Sequence, residues 1–455
     1  MNPMRRVLLT HSNHLYSDPK QVEKMQPYPP LGTILAAAVL RANGIAVYLF
    51  DSTFASSESA FRCAIARVKP DLVAVCEDDF NFLSKMCLTR NRELAFRWAR
   101  TSADQGIPCV AHGSDASDRA CAYLDAGFNA VLIGEPEQSL LDIAQGRCPS
   151  EIDGLIWRDE NNTYRNRPRA PLPDLDLLPA PAWDLVDVEA YRAAWKERHG
   201  YFSLNLASSR GCPYRCNWCA KPIYGNRYRA RPAKSVAEEM LHLKREYAPD
   251  RIWFADDIFA LSARWTRDFA TEVERLGAAI PFKMQSRCDL MARETVAALR
   301  RSGCEEVWMG AESGSRRVLD RMEKDLAVEE IYAARDNLRR NGIRACFFLQ
   351  FGYAGETWND IEATIRMVRE TSPDDVGISV SYPLPGTKFH QIVSSRMGAK
   401  ANWDHSADLS IMFRGAFSTE FYRALADALH LEIRGGADRF AAWSRVEQLR
   451  LEAVA

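Results

Sequence analysis

The sequence predicts an α/β protein in which two sets of alternating strands and helices follow one another along the chain. Short apolar runs recur at close intervals, segments with helical periodicity separate them, and a stretch punctuated by proline divides the series in two. Short, continuously apolar strands between helices are typical of a parallel sheet that is covered on both faces. A length of 455 residues is sufficient for more than one such domain.

The first series occupies residues 1–148 and predicts a doubly wound, Rossmann-like domain. A helix is predicted at Leu31–Asn43, because Gly44 stands where a glycine commonly follows a helix C-cap. Five short strands with helical segments between them complete the prediction: Arg6–Thr10, Ile45–Phe50, Asp71–Cys76, Ile107–Ala111 and Ala130–Ile133.

Residues 149–195 interrupt this pattern. Two stretches, Arg169–Asp174 and Leu178–Trp183, contain two prolines each. Proline is excluded from helix interiors and from central strands, so we predict a linker here.

The second series occupies residues 196–395 and predicts a partial TIM-type (β/α)6 barrel, in which chemistry takes place at the C-terminal ends of the strands. One helix is predicted to start at the capping box Ser235–Glu238, with one apolar face. Residues 396–455 are predicted to form a small, mainly helical C-terminal segment. The six predicted strands are Phe202–Leu206, Arg251–Phe254, Phe282–Gln285, Glu306–Met309, Ala345–Phe351 and Val376–Val380.

Composition excludes several classes of protein. Hydrophobic residues make up 47% of the chain and charged residues 26%, which excludes a disordered or low-complexity protein. Lys and Arg total 59 against 60 Asp and Glu, so we expect no nucleic-acid partner on general electrostatic grounds. The N-terminal apolar run is too short for a signal peptide, and no run approaches the roughly 20 apolar residues of a membrane span. We therefore expect a soluble, cytoplasmic protein.

Three of the twelve cysteines stand apart from the others. Cys212, Cys216 and Cys219 have C-x3-C-x2-C spacing directly after the first strand of the second domain. Three close thiolates suit soft metals such as iron in a cluster. Structural zinc usually takes four ligands, and the loop has no fourth Cys or His; an odd number of cytoplasmic cysteines also disfavours a disulfide. A four-iron cluster on three thiolates would leave one iron open. The other nine cysteines are expected to be small buried hydrophobic residues.

Together with the preceding Ser208–Gly211, this spacing resembles the cluster motif of the radical S-adenosylmethionine (SAM) superfamily. The resemblance implies a 4Fe-4S cluster whose open iron binds the amino and carboxylate groups of SAM. It also implies reductive cleavage of SAM to a 5′-deoxyadenosyl radical, with a reductant such as flavodoxin or ferredoxin as a partner.

Four further stretches resemble SAM-binding positions of the family at strand ends, and they implicate one residue each. In the first stretch Asp256-Asp257 replaces the commoner Gly-Gly-Glu. In the stretch after the fourth strand, the carboxylate of Glu312 would accept hydrogen bonds from the ribose hydroxyls of SAM. The implied residues, in chain order, are Asp257, Arg287, Glu312 and Gly352.

The first domain resembles the cobalamin-binding domain that is fused to many radical SAM enzymes. No Asp-x-His-x-x-Gly motif occurs, so the resemblance implies a cobalt without a histidine ligand; His11 and His14 are expected to be surface residues rather than metal ligands. The alternative is that the domain keeps the fold and has lost the cofactor. The implied cobalamin-binding residues are Gly32, Asp51, Gly113, Ser114, Gly134 and Glu135.

The resemblance thus implies a cobalamin-dependent radical SAM enzyme that methylates an unactivated carbon or phosphorus centre of a small-molecule or natural-product substrate. Two alternatives remain at this point. One is a radical enzyme that catalyses cyclisation or rearrangement, or transfers another part of SAM; the other is a zinc-binding or redox-sensing protein. The sequence identifies no catalytic side chain and no substrate, because substrate contacts come from variable loops.

Overall fold

The structure is a computed structural model that describes residues 4–160, 162–220 and 223–453. The chain divides into two compact units. The first consists of Met1–Gly211, Lys221–Arg231 and Asn402–Ala407, and the second of Cys212–Ala220, Pro232–Ala401 and Asp408–Ala455.

The first unit contains a seven-stranded sheet in the order β2-β1-β3-β4-β5-β6-β7. Strands β1 to β5 pair in parallel, and β6 and β7 continue the sheet antiparallel. The strands of the unit are β1 Arg6–Thr10, β2 Ala46–Phe50, β3 Leu72–Cys76, β4 Cys109–His112, β5 Ala130–Leu132, β6 Leu155–Arg158, β7 Thr163–Arg165, β8 Ser203–Leu206, β9 Ser209–Arg210 and β10 Arg229–Ala230.

Helices cover both faces of this sheet. On one face Leu40 and Leu140 belong to the same apolar cluster as Ala74 of β3, and on the other Phe61 and Trp98 pack with Val73 and its neighbours. This arrangement confirms the predicted doubly wound domain. The helices of the unit are α1 Pro19–Lys24, α2 Leu31–Ala42, α3 Glu58–Val68, α4 Phe82–Lys85, α5 Thr89–Asp104, α6 Ser114–Asp118, α7 Ala120–Asp125, α8 Pro136–Ala144 and α9 Val188–His199.

The segment predicted to be a linker, residues 149–195, differs from a simple spacer. It supplies β6, β7 and the start of α9 to the first unit. The antiparallel strands escaped the prediction because they are only four and three residues long, and β7 is fully exposed, so it has no apolar pattern.

The second sheet has six strands in the order β15-β14-β13-β12-β11-β8, and the pairings from β11 to β15 are parallel. Each of the predicted barrel strands is present within two residues of its expected bounds or is longer, and the barrel prediction is confirmed. The remaining strands are β11 Arg251–Phe254, β12 Phe282–Ser286, β13 Cys304–Glu312, β14 Arg344–Phe351 and β15 Asp375–Val380.

The predicted capping box at Ser235–Glu238 is wrong. The helix begins two residues earlier, at Ala233, because the carbonyl of Pro232 already accepts from Val236 N at 3.2 Å. Its predicted apolar face is buried. The helices of the second unit are α10 Ala233–Glu246, α11 Ala263–Leu276, α12 Arg293–Ser302, α13 Arg316–Arg321, α14 Val328–Arg340, α15 Trp358–Thr371, α16 Lys388–Val393, α17 Thr419–Arg434 and α18 Arg439–Glu452.

The C-terminal segment is helical only in α17 and α18, whereas residues 397–418 are irregular. Part of this stretch, Asn402–Ala407, belongs to the first unit, where Ser406 N donates to Asp18 Oδ2 at 2.7 Å and Arg92 donates to Asn402 Oδ1 at 2.9 Å. These buried side-chain hydrogen bonds hold the stretch in a non-helical form. No helix in the described part of the chain is long and apolar enough to cross a membrane.

Candidate functional site

The cysteine loop runs from Gly211 to Tyr228, between the paired strands β9 and β10. Asn217 fixes its middle: Nδ2 donates to the carbonyl of Arg321 at 2.7 Å, and Oδ1 accepts from the hydroxyl of Tyr353 at 3.0 Å. The backbone of Asn217 also donates to the carbonyl of Met322 and accepts from Phe389 N. The described residues of the loop, 211–220 and 223–228, contain no helix or strand, and these contacts of Asn217 fix the segment between Cys216 and Cys219.

Arg287 lies beside the loop. Its guanidinium stacks on the ring of Tyr214 with 3.8 Å to the centroid, donates to Asp289 at 2.9 Å and to the carbonyl of Asp325 at 2.7 Å. Nη1 stands 4.0 Å from Cys216 Sγ. The sequence resemblance implied that Arg287 binds SAM; the structure places its guanidinium beside Cys216.

None of the twelve cysteines forms a disulfide. Six of the nine scattered ones are buried as predicted, but the prediction is wrong for Cys63, Cys121 and Cys148, which are exposed. Cys63 and Cys121 lie on the outer sides of α3 and α7. In the described ranges no three His, Cys, Asp or Glu side chains converge on a single metal ion.

Glu312 ends β13 in a left-handed backbone conformation, with φ of 61°. The register with β14 shifts between Gly310 and Glu312, so Ala311 is skipped and Glu312 pairs with Leu349. Its carboxylate is 2.9 Å from Lys324 Nζ, and both side chains are 6% exposed. Burial lowers the pKa of Lys324, but the charges of Glu312 and Cys216 outweigh it and raise the pKa above its ordinary value. A strained, buried carboxylate at a strand end is typical of a ligand site.

Gly352 follows β14 with φ of 73°, and its N–H donates to Glu356 Oε2 at 2.6 Å. A Cβ on this glycine would lie 2.8 Å from Ile411 Cδ1, so the position needs glycine. Burial raises the pKa of Glu356 to about 8. Asp257, after β11, is half-buried, while Asp256 is fully buried with its carbonyl accepting from Gln285 Nε2 at 2.6 Å.

At the C-terminal edge of the first sheet, Asp51 is engaged by the protein itself. It is 2.9 Å from His11 Nε2 and accepts from the hydroxyl of Tyr191 at 2.7 Å. Burial raises the pKa of Asp51, but the hydrogen bond and charge of His11 outweigh it and lower the pKa overall. His11 is 2% exposed, so the prediction that it is a surface residue is wrong. The reason is Asp51, which offsets the cost of burying an imidazole.

The glycines of this edge allow close packing around acidic side chains. Gly32 N donates to Asp78 Oδ1 at 2.9 Å, and Gly113 has φ of 138° with Glu77 Cγ only 2.7 Å from where a Cβ would stand. Ser114 begins α6 directly after Gly113.

Three buried polar atoms at this edge have no hydrogen-bond partner within the described residues: Glu77 Oε2, Asp79 Oδ1 and Ser114 Oγ. Burial raises the pKa of both carboxyl groups. Buried polar atoms are almost always satisfied, so these three indicate a bound polar group or water. Glycine-lined, hydrogen-bonding loops at the strand ends of a doubly wound sheet fit a large cofactor with many amide groups, such as cobalamin.

Gly134 and Glu135 follow β5. The carbonyl of Gly134 accepts from His112 Nε2 at 3.0 Å, and the carboxylate of Glu135 accepts from Leu172 N at 2.9 Å and pairs with Arg229. Glu135 was predicted to bind a cofactor, but the structure shows its oxygens held by the protein.

Sequence reasoning missed the side chains that orient these groups. Lys324 pairs with Glu312, and Asn217 fixes the cysteine loop. Arg210 and Arg229 pair with carboxylates of the first unit. Only Arg210 and Asn217 carried any signal, since both lie in or beside the cysteine motif; the others lie far away along the chain.

Fold and site together define a two-unit protein with a doubly wound sheet, a (β/α)6 sheet and a three-cysteine loop at the end of the first barrel strand. Residues 206–368 match the radical SAM superfamily. This match covers the three-cysteine loop and strands β9 to β14, and it confirms the resemblance predicted from the sequence.

A named relative matches part of the chain. The chain is 29% identical over 305 residues to an uncharacterized methyltransferase of Pyrococcus horikoshii, which covers 66% of this chain and 64% of the relative. The chain thus spans less than two thirds of that protein's length.

Two solved structures share the fold. The radical SAM methyltransferase TsrM of Kitasatospora setae, solved with cobalamin and a [4Fe-4S] cluster, matches 87% of this chain and 78% of its own, with a TM-score of 0.70 and 21% identity. The cobalamin-dependent radical SAM enzyme OxsB, solved with aqua-cobalamin and SAM, matches 99% of this chain and 72% of its own. Its TM-score is 0.73, and its sequence identity is 16%.

Proposed function

We propose that this protein is a cobalamin-dependent radical SAM enzyme that transfers a methyl group to an unactivated carbon or phosphorus centre of a small-molecule or natural-product substrate. The observation that carries the proposal is the loop with Cys212, Cys216 and Cys219 in a domain that matches the radical SAM superfamily. The names of the Pyrococcus relative and of the Kitasatospora structure support methyl transfer.

The three thiolates suit a 4Fe-4S cluster because soft sulfur ligands on one short loop match iron. When bound, the cluster supplies the electron that cleaves SAM to a 5′-deoxyadenosyl radical, and cobalamin supplies the methyl group. Arg287 Nη1 lies 4.0 Å from Cys216 Sγ, and Asn217 holds the loop between Cys216 and Cys219.

The SAM-binding role belongs to strand-end residues of the second unit. Glu312 presents a buried carboxylate that suits the two ribose hydroxyls, and Lys324, 2.9 Å away, holds it in place. Gly352, in a left-handed conformation directly after β14, would lie near the adenine of SAM, while Asp257 stands after β11 in a position suited to the SAM amino group. A flavodoxin or ferredoxin would supply the electron.

Cobalamin would bind at the C-terminal edge of the first sheet, with Gly32, Gly113, Ser114 and Gly134 around it. We propose that no histidine binds the cobalt. His11 Nδ1 accepts from Asn13 N at 3.2 Å and Nε2 faces Asp51, while His112 is held by Cys76 and the carbonyl of Gly134. Both ring nitrogens of these two histidines are therefore used within the protein.

The proposal is tested by anaerobic reconstitution of the full chain with iron, sulfide and hydroxocobalamin. We expect the broad absorbance of a 4Fe-4S cluster, retained cobalamin after desalting, and 5′-deoxyadenosine when SAM carrying a labelled methyl group and a reductant are added. Incubation with a metabolite extract, followed by mass spectrometry, should show the label in a product.

Each arm of the experiment has its own contradicting result. Cys216→Ala should lose the cluster and SAM cleavage, whereas Cys87→Ala, at a buried cysteine outside the loop, should keep both. A zinc content without iron would favour the zinc alternative, and a product of unchanged methyl count would favour cyclisation. Cobalamin lost on desalting would contradict the methyl-transfer proposal, and nitrogen coupling from histidine in the paramagnetic resonance spectrum would contradict an unligated cobalt face.

A further inference from the structure

The two ends of the cysteine loop are joined by a pair of two-residue antiparallel strands, β9 and β10. Arg210 of β9 pairs antiparallel with Arg229 of β10, one residue before the loop begins and one after it ends. Gly211 has φ of 79°, and a Cβ there would collide with the carbonyl oxygen of Arg227 and lie 3.0 Å from that of Tyr224. The entering and returning chain are thus in close backbone contact.

The side chains of the paired arginines are held by two glutamates that follow β5. Arg210 Nη2 is 2.5 Å from Glu137 Oε1, and its Nη1 is 3.5 Å from Glu135 Oε2. Arg229 pairs with the other oxygen of Glu135 and donates to the carbonyl of Leu172 at 2.7 Å. Glu135 therefore links both arginines.

All four charged side chains are buried, with exposures between 2% and 8%. Two cations face two anions, so the charge of the group is balanced. Phe80 and Tyr224 add their rings at 5.8 and 5.0 Å from the Arg210 guanidinium. Tyr224 belongs to the loop itself, so the same guanidinium contacts the loop and its base.

Buried ion pairs often stabilise a fold no more than well-packed apolar residues in the same place. Their best-attested role is to fix the register of the elements that they join. Here the register in question is that of the two strands that enter and leave the cysteine loop. A planar guanidinium that binds a carboxylate while lying against aromatic rings cannot be replaced by an ammonium.

We propose that Arg210, Arg229, Glu135 and Glu137 are positioning residues for the iron–sulfur cluster: they fix both ends of the loop and thereby the spacing of its three thiolates. This inference rests on the proposed function through the cluster alone and is independent of methyl transfer. It also replaces a direct cofactor-binding role for Glu135.

The test is Arg210→Lys in the full chain, reconstituted with iron, sulfide and hydroxocobalamin. This substitution keeps the positive charge but removes the planar guanidinium that pairs with both glutamates. Groups that orient metal ligands typically contribute 10- to 100-fold to metal affinity, so we expect iron release to an anaerobic ferrous chelator to be about tenfold faster or more. We also expect a higher KM for SAM and an altered paramagnetic resonance spectrum of the reduced cluster, with cobalamin retention unchanged.

Arg62→Lys is the matched control, because Arg62 is an exposed arginine paired with Glu58 and Asp104 in the same unit. Its iron release should equal that of the wild type. The double variant Arg210→Met/Glu137→Leu removes both charges and keeps the volume, which separates charge balance from positioning. We expect it to fold and still to release iron quickly.

The positioning role would be overturned if the folded Arg210→Lys variant released iron at the wild-type rate. It would also be overturned if the double variant fully recovered the wild-type rate of iron release. Should both variants fail to fold, hydrogen exchange in the wild-type chain decides: the amides of the β9–β10 pair should exchange as slowly as those of β3, and fast exchange would overturn the inference. A wild-type chain that holds no iron would overturn the proposed function as well, so the two failures are distinguishable.

Discussion

The buried pair of Glu312 and Lys324 allows a prediction of defined size. Glu312→Gln leaves the ammonium of Lys324 without its counter-ion, at a site where both side chains are 6% exposed. Removing one partner of a buried ion pair costs about 3–5 kcal/mol. Because the amide oxygen of Gln still accepts from the ammonium, we expect the lower end, about 3 kcal/mol. For a domain of this size that lowers Tm by about 6–12 °C.

The same substitution tests the proposed ribose contact. Hydrogen bonds to a charged group contribute about 1.5–3 kcal/mol each, so SAM affinity should fall about tenfold or more in Glu312→Gln. The cluster absorbance should be unchanged, because the thiolates are not involved.

The assays are urea and thermal unfolding of the full chain under anaerobic conditions, and SAM binding by calorimetry. Glu274→Gln is the control, because Glu274 and Arg301 form an exposed pair whose loss should leave the stability nearly unchanged. The double variant Glu312→Gln/Lys324→Met should regain most of the lost stability. A single variant as stable as the wild type would refute the buried-pair argument, and an unchanged SAM affinity would refute the ribose contact.

Two further predictions concern Glu356 and Gly211. Burial raises the pKa of Glu356 from its ordinary 4.5 to about 8, so the folded chain holds this proton more tightly than the unfolded chain. The free energy of unfolding should therefore fall by roughly 3–6 kcal/mol as pH rises from about 4.5 to 8. Glu356→Gln should lose this pH dependence of the free energy of unfolding, measured by urea titrations across that range. An equal pH dependence in the two proteins would contradict the prediction. Gly211→Ala should lower iron content, whereas Gly200→Ala, left-handed but with open space around it, should cost only about 1 kcal/mol in stability and keep iron.

Much of the fold follows from local sequence. The strands of both sheets are short apolar runs, and runs such as Leu72–Cys76 are buried on both faces, so their pattern needs no tertiary information. The cysteine loop was also found directly, because three cysteines within eight residues form a pattern that is visible without a structure. Strands β6 and β7 were missed, since short or exposed edge strands lack that apolar pattern.

The sequence by itself determined the order of the elements, the position of the cysteine loop and which strand ends carry polar residues. Only the tertiary structure decided what those polar residues contact. Glu135 and Glu137 lie more than seventy residues before their partners Arg210 and Arg229, and Asp51 lies 140 residues before Tyr191. Such pairs have no periodicity, because a carboxylate is satisfied by whichever donor the fold brings within about 3 Å, at any separation along the chain. Composition and spacing therefore predict that a charge is present, and packing alone determines its partner.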